Sequence, residues 1–576
     1  MPQGLTARFL LTTLLLLIPL LAGAEPAADR VFTNGAVYTV QSEVPWASAV
    51  AVTDGHITYV GDDEGAKAFI GENTVVTDLA GRMLMPGFHD SHMHPMAAGT
   101  RFLRCQLYDL EWPSEVLDAL RKCATELEEG EWLRGVGLAT EVFDGQGPHK
   151  SLLDEISPDR AVVVSSHVVA EVWVNSTTLT VAGIDADYPD PEHGTIERDA
   201  ATGEPTGVLR HEGVSIVWGL IPPPNENKLR VALRHASKMA NGFGITSVNA
   251  AQVYDQLLLA YRAADQAGEM TLRVQASQYW ELEDGLDHTD EMIRGRGVGS
   301  GRRFKADAVK FFIDGGIPAK TASLLEPYVG SNDDLGTLNV QPERLNAIVK
   351  RLDDEDFQVH MHVVGDRAVR MGLDAIEHAI EINGPKDRRH QLAHIKLINP
   401  EDIPRFARLG VVADFQILWA KLDEDLKQGV AALGPDRTRW LMPINSVFKT
   451  GARVVVGSDW ISESMNPLFS IQIAITRRPI DGSEPAFVPE ERVTLEQMIE
   501  AYTINGAWLA RQEKETGSIE VGKAADLIVL EKNLFEADAM KLAEVKVLLT
   551  LLEGEEVYRH ADFLAGFAPR LAPSSD

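Results

Sequence analysis

The chain has 576 residues, enough for a large core in more than one domain, and its 45% hydrophobic and 24% charged residues are those of an ordinary soluble globular protein. A net charge of −31 argues against polyanionic partners, so no nucleic acid is expected as a ligand. Two cysteines, Cys105 and Cys123, are too few for a cysteine framework or a thiolate zinc site.

In chain order, Arg8 precedes the apolar run FLLTTLLLLIPLL and the small residues Ala22, Gly23 and Ala24. A charged start, a short apolar run and a small-x-small end read as a secretory signal over residues 1–24, cut after Ala24. The run is short for a membrane span and contains Pro19. The expectation is a secreted or periplasmic protein without membrane contact after cleavage. An oxidising compartment would permit a Cys105–Cys123 disulfide, with two buried thiols as the even alternative.

The next segments, RVFTNGAVYTV, ASAVAVTDGHITYVG and NTVVTDLAGRMLMPG, alternate apolar and polar residues between Gly and Asp turns, as β-hairpins do. The C-terminal GSIEVGKAADLIVLEKN and VKVLLTLLEGEEVYR share this texture. Residues 25–85 and 512–566 are therefore predicted to form one small β-sandwich domain from both termini.

Between them, strand-like runs alternate with helical ones. The strand candidates are LMPGFHDSH, GITSVNAAQV, LRVQASQYW, AVKFFIDGG, FQVHMHVVG, RHQLAHIKLI, GVVADFQIL and ARVVVGSDW. Eight such repeats predict an α/β architecture, a (β/α)8 TIM barrel over residues 86–511. The first two strands are separated by far more chain than one crossover needs. Residues of about 104–225 are read as an inserted α+β subdomain, with WLRGVGL and RAVVVSSHVVAEVWVNS as its strand candidates.

In such a barrel the site lies at the carboxyl ends of the strands. Side chains two apart on a strand share a face, so Asp90, His92 and His94 aim together from the end of the first strand. The fourth strand carries Lys310 in an apolar run, where a lone ammonium is costly. The fifth ends near His362, the sixth carries His394 and the eighth ends at Asp459. Imidazole and carboxylate are good ligands for zinc and similar divalent ions. His360 and His390 lie deeper on the fifth and sixth strands and are expected to be core or supporting groups. His89 points away from the His92 face and is expected to be structural. Asp366 is read as a helix N-cap, the alternative being that it orients His362 or a loop.

These motifs together resemble the amidohydrolase superfamily, and within it the YtcJ-like, amidohydrolase-3 branch that includes N-substituted formamide deformylases. The matching stretches are PGFHDSHMH, GTIERDAATGEPTGVLRHEG, VKFFIDGG followed by TASLLEPY, HVVGDRAV, RHQLAH, GSDW, and TINGAWLA with GSIEVGKAADLIVL. The resemblance implies one or two divalent metal ions, zinc foremost. His92 and His94 would hold the more buried ion with Asp459, and His362 and His394 the second. Lys310, N6-carboxylated to a carbamate, would bridge them. The resemblance further implies a metal-activated water as nucleophile, with Asp459 as the catalytic proton carrier. Two positions depart from the family pattern: Ala393 stands where Glu is common, and SVNAA lacks the usual acid of the second strand.

The leading expectation is hydrolysis of a C–N bond in an amide or N-acyl amine of a small-molecule substrate. The alternatives are N-substituted formamide deformylase and, from another class, a non-catalytic regulatory or ligand-binding protein on a hydrolase scaffold. Trp280, Tyr328, Trp419 and Trp460 lie at or beyond strand ends and are candidate pocket residues favouring a bulky apolar or aromatic substrate. Packing of these rings under loops is the even alternative. The sequence leaves a homo-oligomer as an open possibility.

Overall fold

The computed structural model describes residues 27–143, 148–166, 171–282 and 284–565. The signal segment read at residues 1–24 lies outside them. Among the described residues no helix is long and apolar enough to cross a membrane.

The eight expected barrel strands are all present: β1 Phe88–Met93, β2 Ile245–Val253, β3 Arg273–Tyr279, β4 Phe304–Phe312, β5 Gln358–Val363, β6 Gln391–His394, β7 Val412–Phe415 and β8 Val454–Val456. They lie side by side in chain order. Every ladder between neighbours is parallel. Near-continuous apolar runs suit strands that are covered on both faces. The barrel closes just beyond β8. Ser458 N donates to the Asp90 carboxylate at 3.0 Å, Asp459 N to the His92 carbonyl at 2.7 Å, and His94 N to the Trp460 carbonyl at 3.1 Å. Sequence-adjacent candidate ligands are thus part of the seam.

The outer helices follow from helical periodicity. In Asp366–Asn383, Val369, Leu373 and Ile376 are buried on one stripe, and the chain turns out at Gly384 with φ +75°. Residues from both termini share one six-stranded sheet, in which Met83–Pro86 pairs antiparallel with Leu527–Leu530. A four-stranded sheet of residues 30–78 packs on it through Phe32, Val50, Leu84, Leu527 and Leu551. Between β1 and β2 the chain forms another six-stranded sheet, running from Cys105–Gln106 to Gly194–Arg198 at its edges. Cys105 is disulfide-bonded to Cys123 on the helix Pro113–Thr125.

The lower, amino-terminal end of the barrel is tied to the terminal sheets by buried charges. Arg273, at the start of β3, donates to Asp526 at 2.7 Å and meets Glu553 at 2.9 Å. Glu553 also pairs with Arg303 at 2.6 Å, and its backbone N–H donates to Asp526 at 2.7 Å.

Candidate active site

At the upper end, four imidazoles and an amine meet in a space withdrawn from water. Lys310, fully buried on β4, has its Nζ 3.4 Å from His92 Nε2 and 3.4 Å from His360 Nε2. His360 Nε2 lies 2.9 Å from His92 Nδ1. His394 extends the cluster, its ring 4.7 Å from that of His92 and 4.3 Å from that of His362. On the other side Asp459 Oδ1 is 3.1 Å from His94 Nε2 and 3.7 Å from His92 Nε2. The His94 ring is fixed by a 2.8 Å bond between Nδ1 and the Ala251 carbonyl, which makes Nδ1 the protonated nitrogen and leaves Nε2 as a lone-pair donor. Two of these side chains sit on strained backbone, His394 at φ +75° and Asp459 at φ +52°.

Burial and mutual repulsion set the charges. Desolvation, with the Lys310 cation adding to it, holds His92 and His360 well below the usual imidazole range. The same desolvation lowers His394, with His362 and Lys310 contributing, and brings His362 to about 3. Desolvation lowers Lys310 to about 7, against the pull of Asp459 and Asp414. It raises the Asp414 carboxyl to about 7, opposed by its bond to Ser91. His92, His360, His362 and His394 are therefore neutral, the form in which imidazole binds metals.

The donor set fits a divalent metal. Donor atoms of His92, His94 and Asp459 lie within 4.8 Å of one another, as do those of His92, His360 and Asp414. Among the described residues His362 Nδ1, His394 Nδ1 and Asp414 Oδ2 are buried without a hydrogen-bond partner. Buried lone-pair atoms without a partner are costly, and a bound cation would complete them.

The sequence model of the amidohydrolase family matches residues 75–558. The chain belongs to the amidohydrolase family. It is thus a metal-dependent hydrolase of a family acting on C–N bonds. It is 30% identical to the putative amidohydrolase YtcJ of Bacillus subtilis over 92% of this chain and 99% of that one. It is 30% identical to the protein LONG AFTER FAR-RED 3 of Arabidopsis thaliana over 92% of each. It is 27% identical to an N-substituted formamide deformylase of Arthrobacter pascens over 91% of this chain and 97% of the relative. Its fold is similar to that of an uncharacterized metal-dependent hydrolase from Pyrococcus furiosus, with a TM-score of 0.70 at 22% identity over 88% of this chain and 99% of that one.

In this amidohydrolase, His92, His94, Lys310, His362, His394 and Asp459 are brought together from five strand ends. Asp90 instead stitches β1 to the segment after β8. His390 bonds Val359 N and Asp353 away from the cluster, and His89 bonds Asn249, as supporting groups do. Asp366 accepts the Leu325 N–H, so it anchors the loop after β4, while Gly365 holds the N-cap position.

Three sequence expectations need correction: Asp366 as the N-cap, and Trp280 and Tyr328 as pocket residues. His360, expected as a core or supporting group, touches both His92 and Lys310, because the parallel register sets it beside Lys310. Trp280 is fully buried in the main core against His288. Tyr328 is folded beneath the loop after β4 with its hydroxyl on the Ala322 carbonyl. Neither ring is free to line a pocket. Trp419 and Trp460 remain near the site, Trp419 stacked on His394 at 5.4 Å and Trp460 against Phe102 at 6.3 Å.

Two residues escaped the sequence reading. Asp414 is the lone acid of the apolar strand VADF, a signal as plain as that of Lys310. Phe312 lies two positions past Lys310, on the same face, and packs on His362 with centroids 4.7 Å apart.

Proposed function

We propose that this protein is an exported amidohydrolase that cleaves an amide or N-acyl amine carrying a bulky apolar or aromatic group. The observation that carries the reading is the buried convergence of His92, His94, Lys310, His362, His394 and Asp459. A divalent ion, zinc by its match to these donors and one or two per chain, supplies a Lewis acid that polarises a carbonyl and lowers the pKa of water from 15.7 to about 7.

The chain's own groups do the rest. His92 and His94 would hold one ion with Asp459, and His362 and His394 would hold the other. Lys310 would serve both sites as a carbamate: its neutral amine would add to the carbon of carbon dioxide, a C–N bond forming as one C=O π bond opens to the carboxylate, with one proton released to solvent. A lysine brought to about 7 by burial has that neutral amine available near neutrality. The Asp459 carboxylate, held beside His94 and His92, accepts the proton of the attacking water and returns it to the leaving nitrogen. Phe312 on His362 and Trp419 on His394 place flat apolar faces on one side of the centre, which supports an aromatic or aliphatic group there. Export rests on the signal pattern of residues 1–24, and the bridged Cys105 and Cys123 suit an oxidising compartment.

A second reading, N-substituted formamide deformylase, is favoured by the likeness to the Arthrobacter pascens enzyme. A panel of aromatic and aliphatic N-acyl amines, N-substituted formamides, cyclic ureides and small polar amides separates them. Aromatic N-acyl amines should turn over fastest, and Trp419→Ala should raise their KM by roughly 3- to 10-fold. Turnover of the formamides alone selects the second reading. Fastest turnover of small polar amides or ureides, with Trp419→Ala indifferent, contradicts the aromatic assignment.

A further inference from the structure

A cavity of about 290 Å3 lies away from the metal-ligand cluster, at the junction of the inserted sheet with the barrel. Its walls come from the segment after β1, from the start of strand Leu133–Leu138 and from the amino-terminal end of helix Glu226–Gly242. Arg104 and Arg134 line it together. Both are half-buried, and among the described residues neither side chain has a carboxylate or carbonyl partner. Arg104 Nε is fully withdrawn from water without an acceptor. Burial lowers both guanidinium pKa values, Arg134's to about 10; Arg104 is the unfavourable neighbour of Arg134, and Arg101 that of Arg104.

This is unusual in a chain of net charge −31, where acids are plentiful enough to pair every arginine. The acids of the same wall are otherwise placed. Glu131 pairs with Lys228 at 3.3 Å, and Glu128 and Glu129 are exposed at the rim. Two partly desolvated guanidiniums without a carboxylate partner among the described residues are arranged for an anion from outside, since a planar fork matches a carboxylate. Beside the polar Thr100, Asn225 and Lys228, the lining has an apolar part made of Leu103, Leu127, Trp132, Ile221 and Pro222. Such walls suit a hydrocarbon body more than a hydrated inorganic ion.

We propose that this cavity is a second ligand site, separate from the metal centre, that binds a small organic carboxylate with its carboxylate on Arg104 and Arg134 and its apolar body against Trp132 and Ile221. The ligand would neutralise the pair without any chemistry.

The test uses the full-length metal-loaded enzyme and three probes: sodium benzoate, neutral benzamide and inorganic phosphate. Titration calorimetry counts bound molecules per chain, and thermal unfolding is followed alongside. The wild type should bind one benzoate more per chain than Arg134→Gln and than Arg104→Gln, and should take up no benzamide in that site. Without ligand, Arg134→Gln should melt at the wild-type temperature or above it, because it removes a cation that Arg104 repels and that has no carboxylate partner among the described residues. Equal benzoate counts in wild type and variants would overturn the proposal, since all binding would then lie at the metal centre. Uptake of phosphate in place of benzoate would overturn the ligand class. A lowered melting temperature in Arg134→Gln would also overturn it, by showing a guanidinium already bonded within the protein.

Discussion

Arg273 at the lower end of the barrel and Lys310 at the upper end are both buried cations on barrel strands, and their surroundings differ. Arg273 has Asp526 at 2.7 Å and Glu553 at 2.9 Å. Lys310 has two imidazole nitrogens at 3.4 Å and no ion-pair partner among the described residues. The lower end resolves its buried charge internally, which fastens the barrel to the sheets built from both termini. The upper end leaves the Lys310 amine without a counter-charge and the His362 Nδ1, His394 Nδ1 and Asp414 Oδ2 atoms without a hydrogen-bond partner among the described residues, on a backbone strained at His394 and Asp459. Buried titratable groups left without a counter-charge gather where a protein needs chemistry, and paired ones where it needs only structure.

Substitutions can break this comparison at either end. The largest effect is expected below. Asp526→Ala strips Arg273 of its nearest carboxylate and Glu553 of a backbone contact, and should cost about 3 kcal/mol in urea unfolding while turnover per folded molecule is kept. A loss of turnover with stability intact would place function at the wrong end. Above, Asp459→Asn keeps the shape of the side chain and removes its basicity. It should lower kcat by about 10²-fold or more with metal content largely kept. Near-normal turnover would remove the proton-carrying role. The smallest effect has the opposite sign. Lys310→Met, in metal-free and bicarbonate-free protein, removes an unpaired buried amine and should stabilise the fold by about 1–3 kcal/mol, though the variant is inactive once metal is restored. Destabilisation there would mean that Lys310 is a structural residue like Arg273.

Much of the barrel was legible because parallel strands buried on both faces are continuous apolar runs, and all eight runs became strands. The ligand candidates were legible for a related reason: His92, His94, Lys310 and Asp459 are polar interruptions at the ends of such runs, and alternation fixes their direction. Asp414 interrupts VADF in the same way and was as open to reading. What alternation does not carry is depth across the barrel. His360 lies two residues before His362, yet the register of the fourth and fifth strands pairs it with Lys310. Nor does sequence show how a loop folds back. Trp280 and Tyr328 follow strand ends, as pocket residues do, and tertiary packing takes both rings into the core.

The central claim is that the upper end of the barrel is a metal centre held by these side chains, and counting metal tests it most directly. Elemental analysis of the enzyme purified with divalent metal and bicarbonate should find one or two ions per chain. The His92→Ala/His94→Ala double variant, folded by circular dichroism, should have lost bound metal together with activity. Unchanged metal content in that variant would contradict the account.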